Sequence, residues 1–377
     1  MAPLRGQRGR AMRREPAHPL DAHRGSARRA FRARTGDGLR RTAEIGVTKR
    51  KIAFMFAGQG SQYYQMGREL YESNPTFRMN MEHMDRLVQA QLGTSVIAVL
   101  YGPNGKAEPF TDIRFTHPAI FMVEFALART LIALGVEPDC TLGASLGTFA
   151  ALTVAHCCPM EEALAAVVRQ ALAIERHGPP GGMIAVLAKP ALYEASPYLQ
   201  ARSVIGGRNF ASHFVLSAPH EHLADIEGFL FQAEVPFLRI PAPYPFHGPW
   251  IDPLRAALLE ASAGTRPRLS GIPVYCCAQG GALEAIPDDY LWQVARKEVA
   301  FSRVIAAMEA SCPVDYVDCS PSGTLSTFLK YLLPKQADSR AFSAMVPFGR
   351  ATEWLASVVE QLQPNGRGEQ NMRGEIT

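Results

Sequence analysis

The segment 139–154 constrains the fold more than any other part of the chain. It predicts a short buried strand, a tight turn and an apolar helix, and Gly143, Ser145 and Gly147 form a G-x-S-x-G sequence at the turn. The two glycines leave room for a strand to pass directly into a helix, with the serine hydroxyl held clear of the backbone. An ordinary Gly-Ser turn has the same pattern. The flanking strand and helix favour a nucleophile elbow, in which the amide of Leu146 can bind an oxyanion.

The composition is that of a globular protein with a large core. The chain has 377 residues, of which 47% are hydrophobic, enough for one large α/β domain or two smaller ones. The longest uncharged run, residues 140–160, has the length of a membrane span, but its glycines, serine and histidine favour a core helix and its turn. We therefore expect no membrane association. Seven cysteines without C-x-x-C spacing, and a start without an apolar leader, predict free thiols and a cytoplasmic location.

The positive charge of the chain is concentrated at its start. Residues 1–50 hold thirteen Arg and one Lys against four acidic residues, a net charge of +10, so the overall +4 leaves −6 for the remainder. The body of the protein lacks the basic footprint of a nucleic-acid-binding protein, and no nucleic-acid partner is expected. Residues 1–48 are poor in apolar residues and are predicted to be a disordered basic arm. An inert tail is the favoured interpretation; a transit-peptide-like arm and translated sequence upstream of a true start near Val47 are alternatives.

Alternating strand and helix patterns predict an α/β fold with two parts. Residues 49–182 and 241–362 are expected to form an α/β-hydrolase-like core with a parallel sheet, followed by a frayed tail over 363–377. Residues 183–240 follow the order β-α-β-β-α-β, which is typical of a ferredoxin-like subdomain, here inserted into the core.

The first strand of the core is predicted over 51–56, and it runs into Gly58-Gln59-Gly60. A strand followed by G-x-G suggests a dinucleotide-binding loop. Tyr63 stands where the third glycine of such a loop is needed, so nucleotide binding is rejected.

Three helices are predicted from the periodicity of apolar residues and from the prolines and glycines that begin or end helices. One runs from His117 to Gly135 with Pro118 in its first turn, one covers 251–263 and one covers 289–310. A strand over 314–317 follows the last of them.

A serine nucleophile needs a base, and His247 is the strongest candidate among the ten histidines. It lies in a proline-rich aromatic loop that leaves the last strand of the inserted subdomain, from which it can reach over the elbow. His117, His156 and His213 are interpreted as core or capping histidines.

Four motifs follow one another along the chain: Phe56-Ala-Gly-Gln-Gly-Ser-Gln62, Gly143-Ala-Ser-Leu-Gly147, Tyr244-Pro-Phe-His247 and Asp318-Cys-Ser-Pro-Ser-Gly323. In this order and spacing the chain resembles the malonyl-CoA:acyl-carrier-protein acyltransferase family, which includes the acyltransferases of polyketide synthases. The resemblance covers residues 51–360.

The resemblance implies a ping-pong acyl transfer. Ser145 would attack a thioester carbonyl, and His247, oriented by a backbone carbonyl rather than by a third acid, would move the proton. The amides of Gln59 and Leu146 would supply the oxyanion hole, and Asn209 matches a family asparagine near the site. The substrates would be acyl or malonyl thioesters of coenzyme A or of the phosphopantetheine of acyl carrier protein. No other cofactor, no metal and a monomer are expected.

Two positions depart from the family pattern. Ala144 replaces the usual histidine of the elbow, and the arginine that binds a malonyl carboxylate in the family corresponds here to Gln170, with Arg169 one residue earlier. About 100° of helix separates the two side chains, and the apolar pattern leaves open which of them faces the site. If Gln170 does, a malonyl carboxylate would stay unpaired, at a cost of about 2–5 kcal/mol.

The favoured function is therefore hydrolysis of uncharged acyl groups from carrier proteins, as in the stand-alone acyl hydrolases of trans-acyltransferase polyketide pathways, which this pattern resembles. Malonyl transfer from malonyl-CoA to acyl carrier protein is the alternative within the family. Alternatives of other classes are a catalytically silent carrier-docking module and an α/β-hydrolase esterase, which needs an acid between its serine and its histidine.

Overall fold

The computed structural model describes residues 50–363, and the predictions for the arm 1–48 and for the tail beyond residue 363 lie outside the described residues. Within them the strands are, in chain order, β1 (Lys51–Phe56), β2 (Cys140–Gly143), β3 (Gly181–Val186), β4 (Val204–Phe210), β5 (His213–Pro219), β6 (Phe237–Arg239), β7 (Val274–Cys276), β8 (Gly281–Ala282), β9 (Val314–Asp318) and β10 (Arg340–Ser343).

The helices of the same region are α1 (Arg68–Ser73), α2 (Pro75–Leu92), α3 (Val96–Leu100), α4 (Ile113–Ala133), α5 (Gly147–Val154), α6 (Met160–His177), α7 (Ala191–Glu194), α8 (Pro197–Gln200), α9 (His220–Gln232), α10 (Arg255–Ser262), α11 (Tyr290–Arg296), α12 (Phe301–Glu309), α13 (Thr324–Leu332) and α14 (Ala351–Leu362). A 3-10 helix, Pro249–Leu254, leads into α10.

The larger sheet has the strand order β10-β9-β1-β2-β7-β8 and is parallel except for β8. Its central strand β1 is apolar and buried on both faces, as parallel strands covered by helices require. The register pairs Phe56 with Gly143 on one side and Met55 with Asp318 on the other. The carboxyl ends of β1, β2 and β9 therefore lie at one edge, and the loops that follow them meet there.

Helices cover both faces of the larger sheet. Helices α2, α4, α5 and α6 contribute to one apolar cluster that includes Phe54 and Phe56, and α12 and α13 contribute to a second that includes Ala53 and Met55. The alternation of these β1 side chains between two clusters follows from the two-residue repeat of a strand.

The smaller sheet is antiparallel, with the order β4-β5-β3-β6. In terms of its own first to fourth strands this order is 2-3-1-4, which is the ferredoxin-like arrangement. One face packs on α9 through Leu223, Ile226 and Leu230. The α/β core with a parallel sheet and a separate antiparallel subdomain confirms the predicted fold class.

Helix α4 begins one turn earlier than predicted. The side chain of Asp112 accepts a hydrogen bond from the Arg114 amide at 3.0 Å and caps the helix at Ile113, so Pro118 lies inside the helix rather than in its first turn. By length and composition α4 could also span a membrane, but 78% of its most apolar 18-residue stretch is buried inside the protein. Its composition is accounted for by its place in the core.

The predicted helix over 289–310 is wrong, because the structure has two helices there, α11 and α12, separated by an extended break at residues 297–300. The prediction over 251–263 is also corrected, since a 3-10 turn precedes α10. Strand β10 was not predicted. It is a short edge strand, paired only with β9, and only part of it is buried.

The turn between β2 and α5 depends on Gly147, because a Cβ there would overlap the carbonyl oxygens of Phe56 and Ala57. Gly147→Ala is expected to lower the free energy of unfolding by about 1–3 kcal/mol, the usual range for overpacking. Urea unfolding followed by circular dichroism measures this change.

Gly228→Ala is the matched control, since a Cβ at this position on α9 meets no atom within 4 Å. Alanine is the better helix former by about 0.5–1 kcal/mol, so this variant should be slightly more stable than the wild type. Equal urea midpoints for Gly147→Ala and the wild type would contradict the close approach.

Candidate active site

Ser145 lies at the apex of the turn between β2 and α5. Its backbone has φ +53°, a left-handed conformation that is strained for a serine. The amide of Ala144 donates to the Phe56 carbonyl at 2.9 Å, and the amide of Gly147 donates to the Ala144 carbonyl at 3.1 Å. The first bond holds the turn against the end of β1, and the second closes the turn itself. The half-buried side chain of Ser145 lines a cavity.

His247 faces this serine from the loop after β6. Its Nε2 atom lies 2.9 Å from the Ser145 Oγ atom, although the two residues are 102 positions apart. The Nδ1 atom lies 2.8 Å from the carbonyl oxygen of Lys297. A carbonyl only accepts, so Nδ1 carries the proton of the neutral ring, and Nε2 is left with a lone pair for the serine hydroxyl.

The break between α11 and α12 holds His247 in place. Lys297, whose carbonyl contacts the ring, lies at its start, and the His247 amide donates to the carbonyl of Ala295, in α11, at 3.0 Å. The end of α11 therefore holds the backbone of His247, and the break holds its ring. The backbone of His247 has φ +59°, a second left-handed residue at the site. The ring is oriented by a carbonyl and not by a carboxylate.

Burial sets the charge of the imidazole. It lowers the pKa of His247 to about 4, because the surroundings penalise the charged form, and the Lys297 carbonyl opposes this shift. At neutral pH the ring is therefore uncharged and able to accept a proton.

Two backbone amides beside Ser145 lack a protein acceptor. Among residues 50–363, the amides of Gln59 and Leu146 donate to no carbonyl or side chain. Gly58 makes this arrangement possible, since a Cβ on it would lie 2.8 Å from the Ser145 Cβ and 3.2 Å from the Leu146 amide nitrogen. The Gln59 side chain is held separately, donating to the Thr116 hydroxyl at 3.1 Å.

Glu124 supports the same loop from below. This fully buried residue of α4 accepts a hydrogen bond from the Ala57 amide at 2.7 Å. Burial raises the pKa of Glu124 well above its usual value, which favours the neutral acid, and the hydrogen bond from Ala57 opposes this shift. The sequence analysis missed it, although it is the only charged residue between Phe115 and Ala128 and such isolation inside an apolar helix is a usable signal.

The cavity in front of Ser145 has a volume of about 300 Å³. It lies between the turn after β2, the loop after β1 and the face of the smaller sheet that is turned away from α9. Its polar lining residues are Gln59, Ser61, Ser145, Asn209, His213, His247 and Thr324. The described residues that line the cavity include no Asp, Glu, Lys or Arg.

A sequence model of the acyl transferase domain matches residues 53–365. The chain belongs to the acyl transferase domain family. The resemblance drawn from the four motifs is thereby confirmed.

Relatives of this acyltransferase domain include polyketide biosynthesis acyltransferase homologues of nearly the same extent. BaeD of Bacillus velezensis is 36% identical over 318 residues, which cover 84% of this chain and 98% of that protein. PksD of Bacillus subtilis is 35% identical over 308 residues, covering 81% and 95%.

Solved structures share the fold. A loading acyltransferase from the avermectin modular polyketide synthase has a TM-score of 0.74 at 25% identity, covering 82% of this chain and 99% of that one. A malonyl CoA-acyl carrier protein transacylase from Clostridium perfringens has a TM-score of 0.68 at 22% identity, covering 82% and 98%. The second likeness concerns the fold alone.

The structure brings together most of the predicted site residues of the acyltransferase domain, but not Arg169 and Gln170. Neither of these two lines the cavity. The Arg169 Nε atom donates to the Ala261 carbonyl at 2.7 Å, and the buried Gln170 amide donates to the Ser262 hydroxyl at 2.9 Å. Both side chains are therefore directed to α10, which provides both acceptors.

Asn209 lines the cavity, as the family resemblance implied, and its amide lies 3.0 Å from the Nδ1 atom of His213. From the sequence, His213 was interpreted as a core or capping histidine. In the structure its side chain is buried and also forms part of the cavity wall.

The support that Glu124 gives to the loop can be tested by substitution. Glu124→Gln keeps a neutral acceptor of the same shape, whereas Glu124→Leu leaves the Ala57 amide buried without a partner, at about 1–3 kcal/mol. Hydrogen exchange of the Ala57 amide should therefore accelerate in the leucine variant and stay slow in the glutamine variant. Equal exchange in the two variants would contradict this role.

Proposed function

We propose that the protein hydrolyses uncharged acyl groups from the phosphopantetheine thioesters of acyl carrier proteins through an acyl-Ser145 intermediate. The observation that carries the proposal is the cavity itself, in which Ser145 and His247 are paired and none of the described lining residues is charged. The proposal includes acyl carrier protein as partner and no cofactor beyond the arm of the substrate.

Acylation begins with the 2.9 Å contact between Ser145 and His247. The serine oxygen attacks the thioester carbonyl carbon while its proton passes to Nε2 of His247. The developing oxyanion is stabilised by the amides of Gln59 and Leu146, which donate to no acceptor among the described residues. Collapse of the intermediate breaks the carbon–sulfur bond, and His247 returns the proton to the thiolate sulfur.

Deacylation repeats these steps with water as the nucleophile. His247 takes a proton from water, the hydroxide oxygen attacks the acyl-serine carbonyl, and the proton then goes to the Ser145 oxygen. The products are a carboxylic acid, which ionises in solution, and a carrier with a free thiol. Throughout, the Lys297 carbonyl stabilises the Nδ1–H of the imidazolium that forms transiently.

The preference for uncharged acyl groups follows from the cavity lining. A malonyl carboxylate would enter without a cation to pair with, because the Arg169 guanidinium bonds to the Ala261 carbonyl and lies outside the lining. An unpaired buried charge costs about 2–5 kcal/mol, which is a factor of roughly 30 to several thousand in rate. Similarity to BaeD and PksD, both polyketide biosynthesis acyltransferase homologues, supports a role in polyketide biosynthesis.

Acyl transfer to Ser145 can be followed directly by mass spectrometry. Acetyl carrier protein should acetylate the serine and then lose the acetyl group to water, whereas malonyl-CoA should acylate it at least about 30-fold more slowly. Ser145→Ala is the control and should take up neither group. Rapid and stable malonylation would instead assign the protein as a malonyltransferase, and absence of any acylation would favour a silent docking module.

The acid limb of the pH–rate profile tests the base. Protonated His247 cannot accept the serine proton, so kcat/KM should be constant around neutral pH and fall tenfold per unit below the pKa of about 4. Stopped-flow acylation measures the profile, and circular dichroism at each pH shows that the fold persists. A midpoint near 6.5, the usual value for histidine, would contradict a buried neutral base.

A further inference from the structure

The face of the smaller sheet that is turned away from α9 forms one wall of the cavity. Its register places Gly207 opposite Val215, Val215 opposite Ala185 and Ala185 opposite Leu238, and all four line the cavity. This row is apolar. The polar side chains of the wall, Asn209 and His213, lie together one step further along β4 and β5, at their hairpin end.

The ring of His213 is fixed from three sides. Asn209 Nδ2 lies 3.0 Å from its Nδ1 atom, and the ring centroids of Phe210 and Phe328 both lie 5.1 Å from its own. In this amide orientation Asn209 donates, so Nδ1 is the acceptor and the neutral ring carries its proton on Nε2. Burial lowers the pKa of His213, which keeps the ring neutral. Among residues 50–363, Nε2 has no hydrogen-bond partner.

This end of the cavity lies next to the protein surface. Phe210 stacks on Tyr331 at 4.5 Å, and Tyr331 is 67% exposed. Both residues of the hairpin turn between β4 and β5, Ala211 and Ser212, are also exposed. A carrier arm that enters from this exposed end, with its thioester carbonyl carbon at Ser145, would lie beside this outer wall.

We propose that His213 binds the phosphopantetheine arm by donating its Nε2–H to an amide carbonyl oxygen of the arm, with Asn209 positioning the ring. The inference rests on the proposed function, because that function brings the arm into the cavity. The arm offers amides, a hydroxyl and a phosphate. A neutral donor between two phenylalanines suits an amide carbonyl, whereas a phosphate is bound by Arg and Lys.

Two substitutions separate the nitrogens of the ring. Glutamine at this position places an amide where Nε2 was, and asparagine places one where Nδ1 was. His213→Gln therefore keeps a donor for the arm, and His213→Asn keeps only the partner of Asn209. Both are made in the Ser145→Ala protein, so that binding is measured without turnover.

Isothermal titration with phosphopantetheine measures the affinity of each variant. We expect the dissociation constant to rise about three- to tenfold in His213→Asn, the loss of one hydrogen bond, and to stay within about twofold of the parent in His213→Gln. In the parent protein, the ¹⁵N-labelled Nε2–H of His213 should shift downfield on titration, a readout that does not depend on the folding of either variant.

Three results would overturn the inference: no binding of phosphopantetheine by the parent, equal affinities in both variants, or an unchanged Nε2–H resonance at saturation. Failure of the proposed function has a different signature, since phosphopantetheine would then bind with the expected pattern while wild-type Ser145 formed no acyl intermediate.

Discussion

The hydrogen bond between the Nδ1 atom of His247 and the Lys297 carbonyl determines what the site can do. It fixes the tautomer, and the tautomer decides that the ring accepts from Ser145 rather than donating to it. Because the acceptor is a neutral carbonyl, no buried carboxylate raises the pKa of the ring, and burial lowers it. A base of this kind is weak, yet it is available at every pH near neutrality and forms its imidazolium only in passing.

In the proposed mechanism a weak base leaves most of the transition-state stabilisation to the groups that bind the oxyanion. The amides of Gln59 and Leu146, the proposed oxyanion donors, lie in two loops that Gly58 allows to approach each other, and Glu124 accepts a hydrogen bond from the Ala57 amide of the first loop. Backbone strain is concentrated at Ser145 and His247, since both have positive φ angles. The loops around them are hydrogen-bonded to core strands. Such preorganisation is the usual source of the largest electrostatic contribution to acyl transfer.

The sequence was sufficient for the elbow, the inserted subdomain and the pairing of Ser145 with His247, because each depends on residue types that leave a pattern. It was insufficient for the break after α11, which reads as continuous helix, and a carbonyl such as that of Lys297 has no side-chain signature. From the sequence, Arg169 and Gln170 could be compared only by the angular positions of their side chains around the helix. Their direction was decided by acceptors on a helix about ninety residues away, which no local pattern encodes.

The selectivity of this fold for acyl groups depends on whether the protein offers a cation that can pair with a carboxylate on the acyl group. An acyl pocket that must hold a carboxylate needs a cation whose own hydrogen bonds are free, because a guanidinium already bonded within the protein has to break that bond first. Here the available cation bonds to a backbone carbonyl, and the polar groups that remain in the cavity are neutral donors and acceptors. Neutral groups bind thioesters and amides without a desolvated charge on either side. Under the function proposed above, the same lining would admit the carrier arm and an uncharged acyl group, and it would disfavour a malonyl group, whose charge would stay unpaired.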